Sequence, residues 1–289
     1  MESSDAPTLD QLKERVRRDW TDVATIEAWR RWREPFAVHT ASLTDALLDA
    51  ARIAPGQRVL DLASGAGEPA LTLARRVGPE GRVTATDVSP GWLAVVEDAA
   101  LAECLGNIEL VVADAHALPF PDAAFDRVTS RLGVMFFADV QRALAECRRV
   151  VEPDGRVSFL VWGTPEKNMF FGAALTALSS RVELPPPSPG MPGPLRFARD
   201  GSLSRELEQA GFREIEEERL IVPIPWPGPP EQLWQHLREI VAPLRPVIDG
   251  LPPAEQDAVA SEVIATYAGR YDGTQVDLTG EVVVVTAIP

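Results

Sequence analysis

Small residues and carboxylates follow three successive apolar runs in the first half of the chain. The segment Asp61–Gly67 overlaps the end of the first run, Asp87 ends the second, and Asp114 follows the third. Small residues let a backbone approach a ligand closely, and a carboxylate after the second run can accept hydrogen bonds from ribose hydroxyls. A side chain after the third run can meet an adenine amino group. The ordered series predicts a site for a ligand that contains adenosine.

Five short apolar runs alternate with segments of helical periodicity in this part of the chain. The runs cover residues 58–62, 83–86, 108–112, 125–130 and 157–162. Such alternation predicts βαβ units with right-handed crossovers and a parallel sheet. Because ligands bind at the carboxyl ends of the strands in these sheets, the three acidic positions should lie along one edge.

Helical patterns precede and follow this alternating region. Apolar residues spaced by three and four predict an N-terminal helix from Leu9 to Val23, continued by Trp29 to Phe36, and another helix from Ala41 to Ala51. The later segments predict helices at 169–182, 202–210 and, with one break, 231–269. They also predict strands at 215–222 and 281–288.

With these motifs in place, the sequence resembles the class I S-adenosylmethionine-dependent methyltransferases, particularly the ubiquinone/menaquinone-biosynthesis-like branch that acts on small molecules. The resemblance covers roughly residues 55–165 and rests on five segments, Val59–Pro69, Ala85–Ser89, Ala113–Phe120, Phe125–Asp126 and Arg148–Gly155. It implies an α/β fold with a Rossmann-like, seven-stranded sheet in the order 3-2-1-4-5-7-6.

The resemblance also implies that Glu281–Ile288 is an antiparallel strand near one sheet edge. Two positions depart from the family pattern. Ala63 stands where the first glycine of the loop is usual, and Asp154 stands where a glycine usually precedes Gly155. The second departure lies in the turn predicted for Glu152–Gly155, before the fifth strand. This turn is distant from the cofactor site and leaves that predicted site intact.

By this resemblance the cofactor is S-adenosyl-L-methionine, and the reaction is an in-line methyl transfer to an O, C or N atom of a small, partly hydrophobic molecule. The protein would align the reacting atoms and exclude water. The residues expected to bind the cofactor are Asp61, Ala63, Ser64, Gly65, Gly67, Asp87, Val88, Asp114, Ala115 and Arg131.

Other readings of the loop stay open at this point. Gly65-Ala66-Gly67 followed by Glu68-Pro69-Ala70 marginally fits a nicotinamide-dinucleotide fingerprint, although Glu68 would place a carboxylate beside the pyrophosphate. The main alternative is a protein that binds S-adenosylmethionine for a repurposed reaction or a regulatory role. A nicotinamide-dependent dehydrogenase is the less favoured alternative.

No residue is assigned as the catalytic base. The weak candidates are His39, His116 and His236, and for each a structural role is the favoured interpretation. Arg131 could pair with the methionine carboxylate, bind an anionic substrate or form a salt bridge under a lid.

Three tryptophans near the N-terminus could cover the cofactor, since an aromatic face suits a sulfonium. They are Trp20, Trp29 and Trp32. Core packing is the favoured interpretation for at least two of them.

The composition restricts partners and location. The net charge of −15 argues against a nucleic-acid partner, which would need clustered cations. Neither the spacing of Cys104 and Cys147 nor any other cluster indicates a metal site, and both thiols are expected to be buried. An acidic start and the lack of a long apolar stretch predict a cytoplasmic protein without membrane insertion. The expected partner is a small-molecule substrate, and a homodimer is one arrangement that the sequence allows.

Proline divides the chain unevenly. Fifteen of the 26 prolines lie between Pro185 and Pro253, and proline stiffens loops. We therefore expect N-terminal helices over the site in residues 1–54, a cofactor-binding core in 55–165, and the rest of the core in 166–289. Cap insertions near 166–200 and 225–278 are expected to be preordered and to select the substrate.

Overall fold

A sheet of seven strands forms the centre of the molecule. The computed structural model describes residues 7–183, 190–241 and 244–289. The strands are β1 (Arg58–Leu62), β2 (Arg82–Asp87), β3 (Ile108–Val112), β4 (Phe125–Arg131), β5 (Val151–Trp162), β6 (Arg213–Pro223) and β7 (Thr279–Ile288). Their order is β3-β2-β1-β4-β5-β7-β6, as predicted. Strand β7 pairs antiparallel with both β5 and β6, which confirms the predicted antiparallel strand.

Eleven α-helices are present in the described residues. They are α1 (Leu9–Thr21), α2 (Val23–His39), α3 (Ala41–Ala50), α4 (Ala70–Val77), α5 (Pro90–Ala102), α6 (Val140–Val150), α7 (Met169–Ser179), α8 (Ser202–Gln209), α9 (Pro230–Ile240), α10 (Arg245–Asp249) and α11 (Pro253–Ala268). None of them is both long enough and apolar enough to span a membrane.

The apolar pattern of each parallel strand determines its place in the sheet. Strand β1 is buried at four of its five positions because helices cover both faces of the sheet there. Helix α6 shows the complementary pattern, since Val140, Ala143, Leu144 and Cys147 form its buried stripe. The Asp139 side chain caps this helix by accepting a hydrogen bond from the backbone N–H of Arg142 at 3.0 Å.

Two local predictions are wrong. Residues Glu152–Gly155, predicted as a turn before β5, are part of that strand, which begins at Val151 and pairs there with Phe125. A register shift follows before the regular pairing resumes, so the turn-forming residues sit in an irregularity of the strand. Cys104 is exposed, not buried, because it lies past the end of α5, at a positive φ of 57°. Cys147 is buried as predicted.

The N-terminal helices differ in how firmly they are held. Helix α1 has no buried residue, although Thr8 and Gln11 form a complete capping box at its start. Helix α2 buries six residues, and the Asp22 side chain caps it by accepting from the Thr25 N–H at 2.8 Å. Helix α1 is held at its end by Trp20, which packs on Trp29 and Trp92.

Helix α11 packs against both α7 and α9, and α9 also packs against α2. Helices α7, α9 and α11 lie within the two predicted cap insertions. We call their region, residues 165–200 and 225–278, the cap. Part of the proline-rich segment 185–194, for which a preordered structure is predicted, lies outside the described residues, which resume at Gly190.

Candidate functional site

A cavity of about 550 Å³ opens at the carboxyl ends of β1, β2, β3 and β4, beneath α1. This volume is within the usual range for small-molecule sites. Its lining combines polar residues from the loops after the strands, aromatic residues from the N-terminal helices and from the segment after β4, and charged residues of α1. The cavity therefore lies where the sequence predicts ligand binding, at the edge shared by the acidic strand ends.

Eight of the ten predicted cofactor-binding residues line this cavity. They are Ala63, Ser64, Gly65, Asp87, Val88, Asp114, Ala115 and Arg131. The other two, Asp61 and Gly67, do not line it and instead support the loop between β1 and α4.

Asp61 lies beneath the loop and is fully buried. The Thr129 hydroxyl donates to its Oδ1 at 2.9 Å, whereas Oδ2 has no partner among the described residues. Burial raises the pKa of Asp61 to about 7, and the hydroxyl contacts offset this only in part. Gly67 adopts a φ of +111°, which favours glycine, and its N–H donates to the Ser64 carbonyl at 3.0 Å.

The carboxylate of Asp87 joins the end of β2 to the loop after β1. It accepts the Gly65 N–H at 3.1 Å and the Ser89 N–H at 3.0 Å. Burial raises its pKa to about 6, and these two N–H groups only partly oppose that effect. The carboxylate is thus held in a fixed orientation beside the cavity, and no cationic side chain of the described residues is bonded to it.

Asp114 and His116 form a closed hydrogen-bond network at the end of β3. The Asp114 carboxylate accepts from the His116 backbone N–H at 2.9 Å and contacts the ring Nδ1. The ring Nε2 accepts from the Asp139 N–H at 3.1 Å. This network assigns the proton to Nδ1, and the contact with His116 lowers the pKa of Asp114. Although His116 lines the cavity, both of its ring nitrogens are occupied, so it is not free to act as a base.

The other two candidate bases lie away from the cavity. His39, at the end of α2, and His236, on α9, are both fully buried, and neither lines the cavity. The His39 Nδ1–H donates to the Pro225 carbonyl at 3.2 Å. The structure therefore brings only His116 of the three histidines to the site.

Arg131 and Glu68 carry opposite charges into the cavity wall. Arg131 Nη1 donates to the Thr40 and Thr44 hydroxyls at 2.8 and 3.1 Å, and its Nε is buried without a described partner. Glu68 Oε1 accepts from Arg75 at 3.2 Å, and Oε2 is likewise buried and unpartnered in the described structure. Burial lowers the pKa of Arg131, and the charges of Glu68 and Asp61 oppose that shift.

These two unpaired atoms could hold the carboxylate and the ammonium of an amino-acid group. Glu68 is not among the residues predicted from the sequence to bind the cofactor. Its position directly after Gly67 was the available signal, but spacing alone does not show that the side chain turns inward.

Two of the three N-terminal tryptophans line the cavity, and all three also pack in or against the hydrophobic core, as expected for at least two of them. Trp20 and Trp29 line it, whereas Trp32 packs in the core and donates its Nε1–H to Glu239 at 2.7 Å. Trp20 meets the ring of Phe136 edge to face at 5.0 Å between centroids. Aromatic side chains from α1, α2 and the segment after β4 thus line the cavity together with the carboxylates.

The described residues contain no group of three or more His, Cys, Asp or Glu side chains placed to hold a metal ion. The cavity therefore offers a ligand carboxylates, arginine and aromatic side chains.

A family model described as a methyltransferase domain matches residues 60–159. The ubiquinone/menaquinone biosynthesis C-methyltransferase of Cupriavidus metallidurans is 37% identical over 174 residues, which cover 57% of this chain and 71% of that protein. The protein of the same name from Ralstonia pickettii is 38% identical over 180 residues, with the same two coverages.

Solved structures agree with the fold. The YcgJ protein of Bacillus subtilis superposes with a TM-score of 0.56 at 18% identity, covering 86% of this chain and 98% of that one. A structure titled as a putative methyltransferase from Bacillus halodurans gives a TM-score of 0.55 at 21% identity, with the same coverages. On the evidence of the sequence relatives, the chain belongs to the class I S-adenosylmethionine-dependent methyltransferases of the ubiquinone/menaquinone-biosynthesis type, enzymes that transfer a methyl group from S-adenosylmethionine to a small molecule.

Proposed function

We propose that this enzyme methylates a ring carbon of a flat, partly hydrophobic acceptor of the quinol class. The observation that carries the proposal is that one cavity combines a set of carboxylates from the strand ends with a set of aromatic side chains that includes Trp20, Trp29 and Phe136. The first suits the polar cofactor and the second suits a ring-shaped acceptor. The names of the sequence relatives, which specify a C-methyltransferase of ubiquinone and menaquinone biosynthesis, support the choice of a carbon atom and a quinol.

The polar residues at the strand ends match the chemical groups of S-adenosylmethionine. Asp87 would accept from the ribose hydroxyls, and Asp114 with Ala115 would lie against the adenine. Val88 would pack beside the ribose and adenine, and the backbone of Ala63–Gly65 would approach the cofactor closely.

The methionine end of the cofactor would complete the unpaired atoms of the wall. Its carboxylate would receive the Arg131 Nε–H, and its ammonium would donate to Glu68 Oε2, because both atoms are buried and otherwise unpartnered in the described structure. Asp61 and Gly67 would act indirectly, by holding the loop that carries Ala63, Ser64 and Gly65.

The cofactor, when bound, supplies a methyl group on a sulfonium, which is an excellent leaving group. The chain has to align the acceptor carbon with that methyl group and keep water out. Trp20, Trp29 and Phe136 would help both to align the acceptor and to exclude water, since their aromatic side chains line the cavity. A quinol that has already lost a proton directs electron density to its ring carbon, so a strong base is not required, in agreement with the occupied nitrogens of His116.

We further propose that the three sequence regions divide the work. Residues 1–54 would cover the cofactor, residues 55–165 would bind it, and the cap within residues 166–289 would select the acceptor. A net charge of −15 supports a small-molecule partner rather than a nucleic acid.

The test uses donor labelled in the methyl group and chemically reduced 1,4-naphthoquinone as the acceptor. Transfer to carbon replaces a ring C–H by C–CH₃, releases a proton and leaves S-adenosylhomocysteine. Reoxidation of the product to a quinone retains the label if the methyl group is on carbon, whereas an O-methyl ether resists this oxidation. The expected result is labelled methylnaphthoquinone, with much less from Asp87→Ala. Label confined to an ether would overturn the choice of carbon, and no transfer to any ring acceptor would overturn the acceptor class.

A further inference from the structure

Two histidines meet inside an aromatic cluster between α2, α7 and α9. His39 and His236 are each surrounded by Phe36, Phe170 and Trp226 at centroid distances between 4.6 and 5.9 Å. Trp32 also packs on His236 at 5.3 Å. We call these six residues the imidazole cluster. All six are buried.

The imidazole cluster contains polar atoms that no described residue satisfies. They are His39 Nε2, both ring nitrogens of His236, and the Nε1 of Trp226. Buried polar atoms without partners are disfavoured, and the large majority of them in native proteins have partners. Their concentration in one cluster indicates that they serve a group other than the protein itself.

The imidazole cluster adjoins the cavity along one wall. Phe36 lines the cavity on one side and contacts both imidazoles on the other. Thr40, the residue after His39, accepts from Arg131, which also lines the cavity. Phe36 therefore lies between the cavity and the unpaired nitrogens.

The chemistry of the cluster favours one class of ligand. The Trp226 and His236 rings are stacked at 4.6 Å with an interplanar angle of 27°, so flat rings pack well here. Burial lowers the pKa of His39 to about 4 and that of His236 well below 6.5, and the neighbouring His39 lowers the pKa of His236 further. Both rings are neutral near pH 7. A neutral imidazole offers one donor and one acceptor, which match a hydroxyl or a carbonyl better than an ion.

Of the ionisable groups on the neighbouring elements, Glu239 contacts the cluster only at Trp32, and Arg131 is bonded to threonines outside it. Glu239 on α9 bonds to Trp32 and Arg31, and Arg131 bonds to Thr40 and Thr44. No acidic side chain of the described residues is bonded to either imidazole. Nothing charged therefore competes with a neutral oxygen for these nitrogens.

We propose that His39 and His236 bind the hydroxyl or carbonyl oxygen of the aromatic methyl acceptor, after Phe36 turns aside to admit the ring. His39 is already oriented, because its Nδ1–H is held by the Pro225 carbonyl and its Nε2 is left to accept. His236 has both nitrogens available. The inference rests on the proposed aromatic acceptor, and it assigns positioning residues rather than a catalytic base.

The test measures binding of 2-naphthol and of naphthalene to the enzyme saturated with S-adenosylhomocysteine. The two probes differ only in the hydroxyl. The wild type is expected to bind 2-naphthol at least about tenfold more tightly, as one hydrogen bond to an otherwise unpaired group allows. In His236→Phe the preference should fall to about twofold or less, and His236→Asn should restore part of it.

Ser158→Ala is the matched control, because Ser158 is a buried residue whose hydroxyl is also unpartnered, but it lies on β5 outside the cluster. It should keep the full preference, and binding of S-adenosylhomocysteine should be the same in all variants. Equal binding of the two probes by the wild type would overturn the inference. A crystal structure of the ternary complex with only waters on the two imidazoles would do the same.

These outcomes are separable from the proposed function. If labelled methyl is transferred to a ring carbon but the hydroxyl preference is absent, the inference fails alone. If no ring acceptor is methylated, the proposed acceptor fails, whatever the probes show.

Discussion

Buried carboxylates occur in two regions of the sheet, and their pKa values are shifted in opposite directions. Beneath the loop after β1, burial raises the pKa of Asp61 to about 7, and at the cavity it raises the pKa of Asp87 to about 6. On β7, burial would also raise the pKa of Glu281, but hydrogen bonds from Arg219 and Lys167, each at 2.7 Å, outweigh it and lower the pKa to about 2. All three residues are less than a tenth exposed.

The difference separates a structural joint from a binding site. Glu281 connects β7 to the start of the cap through Lys167 and the Thr164 N–H, and the cations complete its bonding. Asp87 receives only backbone N–H groups, and Oδ2 of Asp61 receives no bond from the described residues. Charges left uncompensated in this way are typical of sites that a ligand completes.

The largest expected effect is on folding, at the joint. Glu281→Gln removes the charge between Lys167 and Arg219 and should lower the free energy of unfolding by about 3 kcal/mol. Urea denaturation measures this, and the affinity for S-adenosylhomocysteine should be unchanged. Lys167→Met is the control and should lose less than about 1 kcal/mol, because Lys167 is 57% exposed. A large loss of cofactor affinity in Glu281→Gln would end the distinction between the two regions.

The next effect is on binding, at the cavity. Asp87→Ala should weaken S-adenosylmethionine binding by about 10–150-fold, since bonds to a charged group contribute about 1.5–3 kcal/mol. Isothermal calorimetry measures the change. The same substitution should not lower the stability of the free protein at pH 8, because it removes a buried, unneutralised charge. Marked destabilisation with normal affinity would show that Asp87 is structural.

The pH dependence should have opposite signs for binding and for folding. With a folded pKa near 6, Asp87 becomes protonated as the pH falls, so the affinity for S-adenosylhomocysteine should drop about tenfold between pH 8 and pH 5. Asp87→Asn should flatten that part of the profile.

For folding, the raised pKa exceeds the reference value of 3.8, so the folded state holds the proton more tightly than the unfolded state. The contribution of Asp87 to stability therefore falls as the pH rises from about 4 to 7. Glu281, with a lowered pKa, contributes stability above pH 4.5 that is lost as the pH falls through about 2. Denaturation curves of Asp87→Asn that parallel those of the wild type at every pH would contradict this assignment.

The smallest effect concerns His116. Because its two ring nitrogens are occupied by Asp114 and the Asp139 N–H, His116→Gln should change kcat by less than about threefold and leave the pH-rate profile in place. Steady-state kinetics across pH 5–9 measure both quantities. Loss of a basic limb from the profile would make His116 a base and would overturn the reading of its network.

Local sequence signals predicted most of the fold. The bounds of β1 and β3 match their apolar runs residue for residue, because a short apolar run between turn residues has few other structures open to it. The start of β5 was missed, since Glu152–Gly155 has turn chemistry locally and becomes strand only through pairing with its neighbour. Strand pairing of this kind cannot be predicted from the sequence of one segment alone.

The candidate site was predictable where its residues lie on the backbone loops of the sheet. Asp87 and Asp114 follow their strands, so their place at the cavity follows from topology. Glu68 was missed because the direction of a side chain depends on packing. His39 and His236 stand far apart in the chain, and only the folded cap brings them into one cluster.

The chain contains only two lysines, which makes chemical labelling of amines a specific probe of two regions. Of its two lysines, Lys13 lies on α1 against the cavity and Lys167 is paired with Glu281 at the joint. An amine-acylating reagent followed by mass spectrometry therefore reports on both regions in one sample. Protection of Lys13 by a bound ligand reports on the cavity beneath α1, and the reactivity of Lys167 reports on how firmly Glu281 holds its ammonium group.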